Sequence, residues 1–256
     1  MTMIAEPATV DASAAPERGG MSPFARLIAI YTRPASAWTG LRERGQWWFP
    51  LLVTVLVTSL FTAAIYSRAF VPMMTAQFEQ QVENGQIPAE QAERMEEFFS
   101  GPGGMAITVG QQLVLLPIVT LCTALAIWFA GGFMLGTRLT YRQSLDVAAW
   151  SSLVTLPAFL VAGAIAWARN VSFRDVHLGF AALLPEVDAP TRVHTGLAVL
   201  LDALGPFSIW YVVVVVLGTA ALSGAPRRSV AYTVGGLYVA LVIFFAALAA
   251  WFTPSP

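Results

Sequence analysis

Lysine is missing from this chain: all fourteen basic residues among its 256 are arginine, a bias that fits GC-rich coding and a bacterial source. Charge of either sign is scarce. Only 11% of residues are charged and 57% are hydrophobic, whereas a water-soluble domain carries roughly a quarter charged residues. That balance excludes an ordinary soluble domain and makes the chain an integral membrane protein. The single cysteine, Cys122, excludes an internal disulfide, a CxxC redox pair and a thiolate zinc cage; inside its apolar run it reads as a small packing residue. Residues 1–20 have neither a basic nor an apolar signal region, so they are expected to be a tail rather than a signal peptide.

Reaction signatures are missing too. The chain has no GxxxxGK[ST] loop, no HExxH helix and no GxSxG elbow. The paired glutamates of "ERMEEFFSG" look like those of intramembrane CAAX-type proteases, but the arginine expected shortly afterwards is absent. His177 and His194 share a loop with Asp175, Glu186 and Asp188, and that spacing fits no standard metal pattern. The chain is therefore expected to be no enzyme, to hold no cofactor or metal, and to bind no nucleic acid.

What the sequence does have is long apolar runs. A bilayer core of about 30 Å needs roughly 20 residues of helix, and five stretches meet that length: 48–70, 107–135, 145–168, 206–223 and 231–252. They are continuous rather than alternating, which predicts helices and not a barrel. The fold class is all-α, a polytopic membrane bundle. Nine arginines (18, 26, 33, 42, 44, 138, 142, 227 and 228) lie on one side in short connections, against five on the other side. Positive loops stay in the cytosol, so the expected location is a bacterial cytoplasmic membrane with the N-terminus inside and the C-terminus outside.

The connections divide accordingly. Residues 1–21 form the tail, 22–47 an interfacial amphipathic region, 48–252 the bundle with an external acidic loop at 71–106, and 253–256 the external end. Within 22–47, Phe24, Leu27, Ile28, Tyr31, Trp38 and Leu41 recur near helical spacing between arginines, interrupted by Pro34. This predicts a broken helix lying on the inner leaflet, with Arg26 and Arg33 toward anionic headgroups. The acidic loop holds six glutamates against Arg94, and its middle, 88–99, is expected to be a short surface helix with a solvated acidic face.

In "TRLTYRQSLDVAAWSSLVTLP" (137–157), Thr140 and Gln143 have the spacing of a capping box, which starts the third span. Counting back 20 residues from Trp167 puts the hydrocarbon boundary near Ala148. Asp146 then sits at the inner interface, one turn from Arg142 and able to pair with it. Asp202 falls at the outer boundary by the same count, ahead of Pro206 in the first turn of the fourth span. No ionisable group is left at mid-membrane, which counts against a proton relay. Gly132 and Gly136 have the GxxxG spacing that lets helices approach closely, within the chain or between copies.

"YTRPASAWTGLRERGQWWFP", "GTRLTYRQSLDVAAWSSLVTLP" and "LGPFSIWYVVVVVLGTAALSG" together resemble the Yip (Ypt-interacting protein) domain family. The matching residues are Pro34 and Trp38, then Gly136, Tyr141, Ser144 and Pro157, then Ser208, Trp210, Tyr211 and Gly218. The resemblance implies five membrane helices behind a cytosolic N-terminus and, in eukaryotic relatives, association with Rab GTPases. This chain lacks their Tyr-Gly-Pro acidic motif, which argues against a Rab-type partner. The expected role is a membrane scaffold that recruits membrane or cytosolic partners or organises the bilayer. Its candidate partner and membrane surface comprises Arg26, Arg33, Trp38, Arg138, Tyr141, Arg142 and Asp146. The alternative is a small-solute permease using residues such as Gln111, Gln112, Thr120, Thr123, Ser151, Ser152 and Thr155.

Overall fold

The computed structural model describes residues 20–171, 173, 176–185, 187 and 191–253. Asp175, Glu186 and Asp188, considered above beside the histidines, lie outside them, as do residues 1–19 and 254–256.

A short helix, α1 (Pro23–Thr32), starts where the Ser22 hydroxyl accepts the Ala25 N–H at 3.3 Å. Five long apolar helical units follow, each long enough to cross a membrane, and no strand occurs among the described residues. The first is α2 (Trp48–Ile65), which runs through a π-turn at Tyr66–Phe70 into α3 (Val71–Glu83). After the hairpin partner α4 (Ala89–Ser100) comes α5 (Pro102–Trp128), extended by a second π-turn at Phe129–Met134. The third unit is α6 (Tyr141–Ser152), a 3₁₀ turn at Leu153–Thr155 and α7 (Leu156–Arg169). A short helix α8 (Arg192–Asp202) precedes α9 (Pro206–Ser223) and α10 (Arg227–Phe252).

All five predicted spans are present. The first differs in length: the helix does not stop near residue 70 but continues to Glu83, because the π-turn keeps the backbone hydrogen-bonded past Arg68. The predicted surface helix at 88–99 is α4, and no residue of it is buried. Helix α8 was not expected. Thr191 caps it by accepting the His194 N–H at 3.3 Å, and Arg192 at its start donates to the Thr253 carbonyl at 3.2 Å, tying it to the end of α10.

The third unit shows how a proline shapes the bundle. Pro157 has no N–H to offer the Leu153 carbonyl four residues back. That carbonyl accepts instead from the Leu156 N–H, closing the 3₁₀ turn, and from the Tyr31 hydroxyl of α1. A local break in one helix thus becomes an attachment point for the N-terminal segment.

Glycines set two of the close approaches. At Gly131 an added Cβ would stand 2.5 Å from Leu139 Cδ2, and at Gly163 one would stand 2.4 Å from the Phe61 ring. The tight contact in "GGFMLG" is therefore made by Gly131, inside the chain. Gly136 instead supplies the left-handed turn (φ 63°) that ends this unit. Cys122, expected among packed residues, is exposed on the outer face of α5.

Candidate functional site

The N-terminal segment, the connection from α5 to α6 and the connection from α9 to α10 meet at one end of the bundle. The predicted capping box is formed there: Gln143 N–H donates to the Thr140 hydroxyl at 3.3 Å, and the Gln143 side chain accepts the Thr140 N–H at 2.9 Å. This fixes where α6 begins and so places Ser144 to Trp150 inside the protein.

Residues 33–44 do not continue a surface helix. They form successive turns that fold back onto the bundle, with Ala37, Trp38 and Leu41 in its core beside Ile30, Trp150 and Val214. Helical spacing of apolar residues records which face is buried without saying whether lipid or protein covers it. Here protein covers most of it. Phe24 and Ile28, 72% and 61% exposed and one helical turn apart, keep the outward position expected of a membrane-surface helix, as does the less exposed Tyr31.

Arg26 is the main correction. Expected to face headgroups, it is 1% exposed. Its Nε donates to Gln46 Oε1 at 3.2 Å, Nη1 donates to the Ala37 carbonyl, and Nη2 donates to the carbonyls of Thr39 (3.0 Å) and Met21 (3.4 Å). The guanidinium also lies 5.6 Å from the centre of the Trp150 ring, in cation–π geometry. Burial draws its pKa below the ordinary arginine value, and the charge of Asp146 opposes that shift. A buried arginine is tolerated only when its donors are used, and these acceptors come from the folded-back turns themselves. Arg26 is thus the post around which residues 21–46 are wound.

Trp38 and Asp146 are not surface residues either. Trp38 is 3% exposed, and its ring covers Gly218 of α9, where an added Cβ would stand 2.6 Å from Cζ2. Asp146 is fully buried and accepts the Gln46 N–H at 2.7 Å through Oδ1, while Oδ2 has no hydrogen-bond partner. The expected pairing of Asp146 with Arg142 is replaced by a sandwich. Gly45 lies between them, and a Cβ there would come within 2.7 Å of both Arg142 Nε and Asp146 Oδ2. Arg142 donates to the Glu43 carbonyl at 3.4 Å.

Of the seven candidate residues, four are exposed: Arg33, Arg138, Tyr141 and Arg142. The Tyr141 hydroxyl reaches across to the Leu121 carbonyl at 3.1 Å. Sequence reasoning missed Arg42, whose Nε donates to the Leu222 carbonyl at the end of α9 at 3.0 Å, and it singled out Gly218 without its partner Trp38, 180 positions away. The signal for both was faint: an arginine near a helix C-terminus is favourable, but nothing local says which helix.

The opposite end carries separate contacts. Tyr66 donates to the Phe99 carbonyl at 2.6 Å, Arg68 lies 5.1 Å from the Trp167 ring centre, and His177 Nδ1 sits 2.7 Å from Asp202 Oδ2. His194 Nε2 is 3.2 Å from the Pro185 carbonyl, so the two histidines have different partners. Among the described residues no group of three metal-ligating side chains comes together.

No solved structure gives a significant match to the chain. It is 24% identical over 220 residues to "Membrane protein YknW" of Bacillus subtilis (strain 168), covering 85% of this chain and 87% of that one. The Yip1 domain matches residues 28–249, from the middle of α1 to near the end of α10. The paired motif residues Trp38 and Gly218, and Pro157 with the α1 attachment it creates, fall within that stretch, and the chain belongs to the Yip1 domain family.

Proposed function

We propose that this protein is a non-enzymatic membrane scaffold whose N-terminal cap forms a partner-docking platform on the cytosolic side. The observation that carries this reading is the buried Arg26 post. It spends its donors on holding residues 21–46 in one shape against the bundle, leaving Arg33, Arg138, Tyr141 and Arg142 on a fixed surface beside it. A surface with a defined shape and positive charge suits recruitment of an acidic partner. Arginine asymmetry supports a cytosolic position for it with the C-terminus outside, and the lysine-free composition supports a bacterial inner membrane. A reporter active only outside the membrane should therefore work after Pro256 and fail after Gly20 or Pro226; the reverse pattern would overturn the orientation.

Replacing Arg138, Tyr141 and Arg142 together should reduce recovery of neighbours copurified from native membranes at least severalfold while leaving the thermal midpoint within a few degrees. Unchanged recovery would remove the docking role from this surface.

One observation favours the permease reading. Thr54, Thr58 and Thr62 line a buried stripe of α2, with Ser152 3.5 Å from Thr54 and Gln112 donating to Thr62 at 2.7 Å. Thr108 Oγ1, Gln112 Oε1 and Ser151 Oγ in the core have no hydrogen-bond partner. Against a solute path, Thr58, Thr120 and Ser152 bond carbonyls of their own helices, as membrane hydroxyls commonly do. Ser151, Ser152 and Thr155 changed to alanine should lower stability by about 1 kcal/mol in total and spare partner recovery. Solute flux in vesicles abolished by those changes would favour the permease.

A further inference from the structure

Two helical units end in left-handed glycines at the same end of the bundle: Gly136 (φ 63°) after α5 and Gly224 (φ 77°) after α9. Both line an open cleft of about 600 Å³, together with Arg42, Arg138 and Ser223. Each chain reversal is made by a residue without a side chain, which leaves the rim of the cleft open at both turns. A Cβ at Gly136 would meet nothing within 4 Å, and one at Gly224 would meet only Arg42 Nη2, at 3.0 Å.

The electrostatics are one-sided. No acidic side chain lines the cleft. The negative C-terminal end of α9 is blunted by Arg42, whose Nε occupies the Leu222 carbonyl, and this contact holds the guanidinium in place beside Gly224. Arg138 is exposed and makes no ion pair among the described residues. Ser223 accepts the Ala225 N–H at 3.2 Å through its hydroxyl oxygen, leaving that hydroxyl's proton available to an acceptor. Pro226, another wall residue, caps α10, whose first turn adds Arg227 and Arg228 and the positive end of its dipole. Leu135 and Leu222 form an apolar edge, and the neighbouring Phe133 and Met134 are exposed.

We infer that this cleft binds a phosphate-bearing anion, the headgroup of an anionic phospholipid, gripped between Arg42 and Arg138 with an acyl chain along Leu135 and Phe133. Arginine forks match phosphate oxygens in geometry as well as charge. A pinned guanidinium on one wall and a free one opposite give a site rather than a diffuse basic surface. The inference shares Arg138 with the proposed docking surface but requires no protein partner, and it is read by lipid and phosphate retention rather than by recovery of neighbours, so the two fail in different measurements.

The test uses the full chain in nanodiscs of phosphatidylcholine with a minor share of phosphatidylglycerol. The phosphatidylglycerol retained after detergent extraction is measured by mass spectrometry, with inorganic phosphate titrated in a parallel arm. Enrichment of phosphatidylglycerol is expected, falling about fivefold in Arg138→Gln, the loss anticipated for one basic residue at an anionic surface. Arg44→Gln, an exposed arginine at the same end of the bundle but outside the cleft, should change it less than twofold. Equal losses in the two variants would mean general surface attraction and overturn the site. If phosphatidylglycerol were not enriched but inorganic phosphate bound in an Arg138-dependent manner, the phosphate site would stand with a soluble ligand. Neither lipid enrichment nor phosphate binding would overturn it.

Discussion

Asp146→Ala is expected to lower the thermal midpoint of the purified protein by on the order of 10 °C. The substitution takes the acceptor from the Gln46 N–H and the opposing charge from the buried Arg26 guanidinium. Arg26 and Asp146 act on each other through space without a salt bridge, so the cost lies at or below the roughly 3–5 kcal/mol of breaking a buried charged pair. For a chain of this size each kcal/mol moves the midpoint by roughly 2–4 °C. Arg26→Met should do comparable harm, since Gln46 and the carbonyls of Met21, Ala37 and Thr39 would then lack their donor. The double change Arg26→Met with Asp146→Ala should cost clearly less than the two singles added, because it removes both charges together. Thermal unfolding followed by tryptophan fluorescence would show this, and strict additivity would mean that the two residues act independently.

Gly218→Val should detach the cap without disrupting the spans. The Trp38 ring already stands where a Cβ would go, and it is packed on its other sides by the core, so it has no room to withdraw. Overpacking of this kind costs about 1–3 kcal/mol, comparable to the gain from burying a large side chain. The cap should then open while the helices stay folded. Limited trypsin digestion reads this directly, since Arg42 and Arg44 lie in the segment that would be released and neither precedes a proline. Cleavage there should rise at least tenfold, with helical circular dichroism nearly unchanged. Trp38→Leu in the same background should restore part of the protection by giving the valine its space. Unaltered digestion of Gly218→Val would show that the tryptophan–glycine contact does not hold the cap.

These two predictions concern contacts that one sequence does not disclose. The spans were legible because each apolar run is long enough to be a membrane helix and nothing else, and the capping box was legible because its partners are three residues apart. Pro206 at the start of α9 was local information of the same kind. The placement of Arg26 was not legible, since its acceptors are mainly backbone carbonyls of turns that exist only once the segment has folded back. An amphipathic stretch beside a membrane looks the same whether its apolar face meets lipid or the bundle. The GxxxG spacing pointed to the right neighbourhood and the wrong glycine, because Gly131 differs from Gly132 only in the side of the helix it occupies. For the candidate site, the sequence located the arginines and the tyrosine of the α5–α6 connection but not the wall opposite, which α9 supplies.

The bond between Arg42 and the Leu222 carbonyl spans 180 positions of chain, and this separation imposes an order of assembly. At the roughly 5–20 residues per second of synthesis, Arg42 is made about ten seconds or more before the helix end that receives it. During that interval the first span can already be inserted, while Trp38 has no Gly218 to cover and Arg42 has no carbonyl to hold. The segment that is earliest in the chain is therefore among the last to reach its final position. Until then its arginines and aromatic residues are open to whatever is nearby, and the newborn chain passes through a stage in which its front end is sticky and its rear end is still being made.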